Sequence, residues 1–212
     1  MKRQKILLLV MVAILAIGLN TVSVEAVSYG PPFDLLWDDM YFAAPDSNHY
    51  YIFNGYNSRI FARYGATNYQ YVQVGVGKEI SFTSSKLIRL KADIEVVGFL
   101  RTYTMGYTSN YVSIAISVGY ESRYGWYPYW WWWDTVQGWY VLNEEVNGLG
   151  ESMYISESIH FVGPYVTVPA GAHRLFIAVH VQVRGGYFCW SGVHTTTPGR
   201  VVYTSLGYDI GH

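Results

Sequence analysis

Two pairs of adjacent carboxylates, Asp38-Asp39 and Glu144-Glu145, are the residues that most invite a chemical reading. Cleavage of a glycosidic bond needs two carboxyl groups roughly 5 to 9 Å apart across the scissile bond. Neighbours on an extended chain point to opposite faces, so neither pair makes such a dyad by itself. A dyad drawing one carboxylate from each pair would leave no mark in sequence, and solvated carboxylates are the ordinary explanation. Asp34, Asp38 and Asp39 together offer oxygen ligands of the kind calcium takes. The six histidines spell no metal motif. His173 and His180 are seven apart, which puts them on opposite faces of one strand. His160 and His180 fall at outward positions and become neighbours only if their strands pair; two imidazoles without a third ligand hold a metal weakly. Cys189, the single cysteine, excludes an intramolecular disulfide and reads as a small buried hydrophobe. Gly-x-Ser-x-Gly, His-Glu-x-x-His and a phosphate-binding glycine loop are all absent from the sequence. A glycoside hydrolase or lyase therefore ranks below any non-catalytic reading.

The other chemistry on offer is recognition by aromatic rings. The stretch GWYPYWWWWDTVQGWY, residues 125–140, carries Trp126, Tyr127, Tyr129, Trp130, Trp131, Trp132, Trp133, Trp139 and Tyr140. On a strand, Trp130 and Trp132 share one face while Trp131 and Trp133 share the other. One pair can fill a core and the other cannot be in the same core. As a loop, the stretch would project indoles from an edge. Either way the rings form a patch, and an exposed apolar patch marks an interaction site. Rigid indoles and phenols lose little entropy on contact. They suit the CH-rich face of a pyranose, while Asp134, Gln137, Arg123 and Glu121 lie close enough in sequence to bond hydroxyls. The same rings could instead pack between subunits or stack across strands within the fold.

The elements that must position these residues are strands. In KLIRLKADIEVVG, Ile88, Leu90, Ala92, Ile94 and Val96 alternate with charged residues, the period of a half-buried antiparallel strand. Val112, Ile114, Ile116, Val118 and Tyr120 repeat the pattern, as do Met153, Ile155, Ile159 and Phe161, and Leu175, Ile177, Val179, Val181 and Val183. Residues 200–210 supply a last candidate. Turn signals stand at Gly75 and Gly77, Ser84-Ser85, Gly106, Gly125 with Pro128, Asn147-Gly148, Pro169-Ala170-Gly171, Gly185-Gly186 and Pro198-Gly199. No helical periodicity follows the first thirty residues, so the expectation is an all-β, antiparallel two-sheet sandwich of jelly-roll type with about eight to ten strands.

Lys2, Arg3 and Lys5 precede an apolar run from Ile6 to Leu19, and Val24-Glu25-Ala26 offers small residues at −3 and −1. That is the pattern of a secretory signal peptide over residues 1–26, with the apolar run too short for a comfortable span. An uncleaved anchor is the alternative. Residues 27–212 then form one domain with an irregular N-terminal arm over 27–48, carrying one strand from His49 to Phe53. The expected location is outside the cell or on its surface. The formal net charge is −1 and charged residues make up 14% of the chain. With no basic cluster, nothing marks a nucleic-acid partner.

The unit VTVPAGAHRLFIAVHVQV, Val166 to Val183, resembles a stretch of carbohydrate-binding-module-like jelly-roll domains, where an extended strand, a Pro-x-Gly turn and a long alternating strand follow one another. The closing YTSLGYDIGH is similar to their last strand. The resemblance covers about a quarter of the chain. It implies a jelly-roll sandwich, and it implies that Asp209 corresponds to an acidic residue that often helps hold a structural calcium ion. Composition and resemblance together lead to a secreted, non-catalytic module binding a polysaccharide or other glycan through Trp126 to Tyr140. The chief rival is a structural subunit of a surface layer, sheath or filament that self-associates, or packs on cell-envelope components, through the same aromatics.

Overall fold

The computed structural model describes residues 25–42, 48–65, 69–102, 111–126, 130–148, 150–184, 190–194 and 200–211, with the side chains of 38–42, 48–53, 59–65, 69–70, 125–126, 130–132, 184 and 190–194 outside that description. The expected turns at Gly106, Pro128, Gly185-Gly186 and Pro198-Gly199, and the cysteine Cys189, lie outside the described residues, as do residues 1–24.

Twelve strands make two antiparallel sheets: β1 (Glu25–Tyr29), β2 (Asp34–Phe42), β3 (Asn48–Phe53), β4 (Asn57–Gly65), β5 (Tyr69–Phe82), β6 (Lys86–Thr102), β7 (Tyr111–Trp126), β8 (Trp130–Asn147), β9 (Ser152–Val168), β10 (Gly171–Arg184), β11 (Trp190–His194) and β12 (Arg200–Gly211). No helix occurs among the described residues. One sheet runs β2-β5-β10-β7-β8. In the other, β9 borders β6, β6 pairs with β12 along most of its length and with β11 beyond it, and β4, β3 and β1 complete the sheet. From β4 to β7 successive strands alternate between sheets, and β8, β9 and β10 alternate again. The strands β4, β12, β6 and β9 face β5, β10, β7 and β8, the eight-strand wrapping of a jelly roll.

The core lies between the sheets and is written by the alternation. Ile88, Leu90, Ala92, Ile94 and Val96 of β6 are buried, as are Val112 to Val118 on the inner face of β7 and Leu175 to Val183 on that of β10. On β9 only Ile155 is fully buried of the four inward residues expected there; Met153, Ile159 and Phe161 are half-buried, because β9 is an edge strand.

Three expectations need correction, and one condition is settled. The described residues hold twelve strands, not eight to ten, and the N-terminal arm is not irregular: β1 pairs with β12 and β2 with β5. Ala26, the last residue of the expected leader, sits opposite Asp209 in that pairing. Gly75 and Gly77 are not turns but lie inside β5. A Cβ on Gly77 would fall 1.8 Å from the Leu175 carbonyl oxygen, so the glycine admits a close approach of backbone. His160 and His180 are not neighbours, since β9 and β10 belong to different sheets. The turns at Ser84-Ser85, Asn147-Gly148 and Pro169-Ala170 stand where expected, with Gly148 and Gly171 at positive φ (108° and 136°).

Candidate functional site

The four tryptophans are on a strand. Trp130, Trp131, Trp132 and Trp133 open β8 and pair with Trp126, Gly125, Tyr124 and Arg123 of β7. That hairpin forms one end of the five-stranded sheet's outer face, and the aromatic system of the protein spreads across this face rather than staying on the hairpin.

Two rings lie on a floor of glycine. The Trp37 indole covers Gly75, where an added Cβ would come within 2.3 Å of the ring, and the Phe176 ring tip covers Gly119, where it would come within 2.6 Å. Trp37 and Phe176 meet edge to face at 5.4 Å, a favoured aromatic geometry. Arg174 continues the series: its guanidinium carbon sits 4.3 Å from the Trp133 ring centre and 5.6 Å from that of Trp37. The same guanidinium donates from Nε and Nη2 to Glu121 Oε2 at 2.8 and 2.5 Å. The two side chains are 13% and 9% exposed, so the pair is nearly desolvated and locks β7, β8 and β10 together beneath Trp133.

Beside this series lies a groove. Tyr140 projects from β8 with 70% of its surface exposed, and its ring stands 5.9 Å from the His180 imidazole. On either side are depressions of about 170 Å³ and about 250 Å³ that share Tyr140 and His180. The smaller is completed by Tyr71, Tyr111, Ser113, Asn143 and Gln182 among others, the larger by Trp37, Gln73, Ser117, Thr135 and Phe176. Hydroxyl, amide and imidazole groups alternate with rings, and among the described side chains no carboxylate or cationic group lines either depression.

His180 organises the floor. Its Nδ1 lies 2.9 Å from the Tyr71 hydroxyl and its Nε2 lies 2.9 Å from Ser117 Oγ. Tyr71 gives its one proton to Gln73 Oε1 at 2.5 Å. With the Tyr71 proton on Gln73, the tautomer that satisfies these contacts has Nδ1 donating to Tyr71 and Nε2 accepting from Ser117. The chain runs in one direction, Ser117 to His180 to Tyr71 to Gln73. Burial holds the His180 pKa below its ordinary value of 6.5.

The expected residues divide. Trp133 and Tyr140 belong to this face. Asp134 and Gln137 are exposed on β8, and Trp139 packs half-buried against the core and Phe161. Glu121 is not available to a ligand, because Arg174 occupies it. Arg123 is exposed on β7. Trp126, Trp130, Trp131 and Trp132 are placed only by backbone, and Tyr127 and Tyr129 lie outside the described residues. Reasoning from sequence missed Trp37, Tyr71, Gln73, Ser117 and Phe176, and it weighed His180, at an outward position, only as a metal ligand. The one signal was the polar set alternating with the core set on β5, β7 and β10.

The remaining polar clusters are structural in geometry. Asp209 is 1% exposed and lies 2.7 Å from both Arg89 Nη2 and Lys91 Nζ. Burial raises its pKa, but Lys91 and Arg89 outweigh this and keep it below the usual carboxylate value. The oxygens expected to serve calcium are thus committed to two cations. Asp34 pairs with Lys78 at 3.1 Å, while the side chains of Asp38 and Asp39 lie outside the described residues. Glu144 and Glu145 stand opposite Ile114 and Ser113, on opposite faces as expected. His173, on the core side of β10, accepts from Ser122 at Nδ1 and donates from Nε2 to the Pro169 carbonyl, both at 2.9 Å. On the other sheet Asp93 accepts from Ser205 and bonds His160, each at 2.5 Å. No group of three potential metal ligands occurs among the described residues.

No family model matches the chain, and no curated protein does. Two solved structures share a low similarity with it: infectious bursal disease virus, Gx strain (8% identity, TM-score 0.17, covering 88% of this chain), and the infectious bursal disease virus VP2 subviral particle (9%, 0.17, 89%). The chain spans 42% of the length of each of those chains, and at that TM-score the likeness carries no argument.

Proposed function

We propose that the protein is a binding module for an uncharged polysaccharide, held along the outer face of the five-stranded sheet. The single observation that carries this is Tyr140: a ring 70% exposed, between two depressions lined with hydroxyls and amides. A pyranose presents CH groups to a ring and hydroxyls around its rim, and this face offers the complement of both. Each depression is smaller than the cavities that enclose drug-sized ligands, which suits single sugar rings of a chain lying in an open groove. The β7–β8 hairpin, which carries Trp133, extends the same surface, and the resemblance of Val166 to Val183 to carbohydrate-binding jelly-roll modules agrees with it.

The test is retention on a panel of insoluble polysaccharides by the wild type and by Tyr140→Ala. Loss of one stacked ring should cost about 1–2 kcal/mol, a five- to thirtyfold weakening. Retention on no polymer, or equal retention by the variant, would overturn the reading. The structural-subunit reading draws on a different observation. Tyr154, Val162, Tyr165 and Leu87 are exposed on or beside edge strand β9, and exposed edges template assembly. Concentration-dependent sedimentation would favour it over glycan binding.

A further inference from the structure

We propose that Ser117 is an activated nucleophile that cleaves carboxylic esters presented in the groove, with His180 as its general base. A serine hydroxyl is a weak nucleophile until a base takes its proton, and that base must be held in the right tautomer by a third group. All three conditions meet on this sheet face. Ser117 Oγ is 2.9 Å from His180 Nε2, inside the reach such a base needs. The Nδ1 proton is fixed on the far nitrogen by Tyr71, whose own proton is spoken for by Gln73. Both Ser117 and His180 line the depression of about 250 Å³, so a substrate atom can reach them.

A second serine–histidine bond in the protein shows what the arrangement looks like without access. Ser122 meets His173 through Nδ1, and Nε2 is tied to the Pro169 carbonyl. Ser122 and His173 are 4% and 2% exposed and line neither depression described, whereas Ser117, itself only 8% exposed, and half-buried His180 both line the larger one. The bond length is the same, but the nitrogen, the orienting group and the contact with a depression all differ.

The chemistry balances without an outside reagent. Ser117 Oγ bonds to the ester carbonyl carbon as its proton passes to Nε2. The adduct collapses, the bond to the alcohol oxygen breaks, and Nε2–H returns the proton to that oxygen. Water, deprotonated by Nε2, then adds to the acyl carbon; the bond to Ser117 Oγ breaks, Nε2–H returns its proton to Oγ, and the carboxylic acid leaves. Charge on the carbonyl oxygen needs donors. The Gln73 amide and the Thr135 hydroxyl line the same depression. Opposite Ser117, the β7–β8 register jumps from Leu142 to Tyr140 and passes over Val141, and such a bulge leaves backbone groups of the extra residue outside the ladder. The His180 ring is faced by Tyr71 from β5, Ser117 from β7 and Tyr140 from β8. Among the described side chains the relay ends in an amide rather than a carboxylate, so the imidazolium gains less support than in an acid-ended triad and slow turnover is expected. The depression admits a small acyl group. That the ester is carried on a sugar rests on the glycan reading above.

The test treats the full chain with a fluorophosphonate probe and maps the label by mass spectrometry, beside hydrolysis of p-nitrophenyl acetate. Label is expected on Ser117 and not on Ser122. It should be absent from Ser117→Ala and at least tenfold slower in His180→Gln, with the thermal transition of each variant recorded to establish folding. Hydrolysis should rise with pH through a midpoint below 6.5. Tyr71→Phe, a positioning change, should shift that midpoint and lower kcat while leaving KM near its wild-type value. No label on Ser117, or equal labelling of Ser117 and Ser122, overturns the proposal. If His180→Gln does not fold, the wild-type map and Ser117→Ala decide by themselves. Acetate release from an acetylated polysaccharide, set beside retention on its deacetylated form, separates the two ideas. Label on Ser117 without retention on either polymer sinks the glycan reading alone, and retention without label sinks the nucleophile alone.

Discussion

Replacing Glu121 with Gln removes one charge and almost no volume, so its effect isolates the ion pair under Trp133. Glu121 Oε2 accepts two N–H bonds from Arg174, and the side chains are 9% and 13% exposed. Surface pairs are worth less than about 1 kcal/mol, but breaking a buried pair strands the surviving charge and costs about 3–5 kcal/mol. Here the stranded cation keeps two aromatic faces, Trp133 at 4.3 Å and Trp37 at 5.6 Å. Partly desolvated cation–π contacts return about 1–2 kcal/mol, and Gln retains one acceptor oxygen. The expected loss is therefore about 2–3 kcal/mol. For a domain of this size each kcal/mol moves Tm by about 2–4 °C, so calorimetry should show a fall of about 4–12 °C. Arg174→Met alone should cost as much or more, since it leaves Glu121 buried without a partner. The double variant should cost less than the sum, because both losses come from one interaction. A Tm within 2 °C of wild type for Glu121→Gln would refute the claim that this pair is desolvated, and additive single effects would refute the coupling.

Gly75→Ala puts a methyl 2.3 Å from the Trp37 ring and must unseat it; a loss of about 1–3 kcal/mol and an altered near-ultraviolet circular dichroism spectrum are expected, and an unchanged spectrum would count against the glycine floor. His173 and His180 have pKa values held below 6.5 by burial, opposed at His173 by the Pro169 carbonyl. Unfolding lets both take protons more readily, so stability is full above about 6.5 and declines as pH falls through that value. Tm measured from pH 7.5 to 4.5 should fall across that range, and less steeply in His173→Gln. Asp209→Asn removes charge-assisted bonds to Arg89 and Lys91 and should cost about 1.5–3 kcal/mol in denaturant unfolding. A chelator should leave the wild-type Tm unchanged, and a drop would show a cation displacing those two side chains.

The sandwich was legible because its long inner strands are buried on one face only. Ile88 to Val96 and Leu175 to Val183 alternate cleanly, the period of strands buried on one face, and the lack of helical periodicity left a second sheet to cover them. The N-terminal arm was misread because β1 and β2 carry little alternation and are held by register against β12 and β5, which is a tertiary fact. Gly75 and Gly77 were misread for a related reason. Glycine in sequence signals a turn, yet here it is the absence of a side chain that makes room for Trp37 and for the Leu175 backbone. The groove stayed hidden because its members come from β5, β7, β8 and β10, and only strand order brings them together. Trp130 to Trp133 drew attention by number, while Tyr71, Ser117 and His180 show in sequence only as outward positions on alternating strands.

The outer face divides its labour along the sheet. At one end Arg174, Glu121, Trp37 and Trp133 form a closed set in which the charge and the rings satisfy one another. At the other, Tyr140 is bare and the hydroxyls and amides of the floor are open to the two depressions. A closed set stiffens the strands whose other residues make the floor, since β7 and β10 carry both Glu121 with Ser117 and Arg174 with His180. Two contacts that do not touch a ligand thus fix the separation of two groups that would. Ser117 and His180 sit on adjacent strands, so a slip of either strand by one residue would turn its outward set to the other face and part them. The buried ion pair holds those strands in register, and the relay depends on that register.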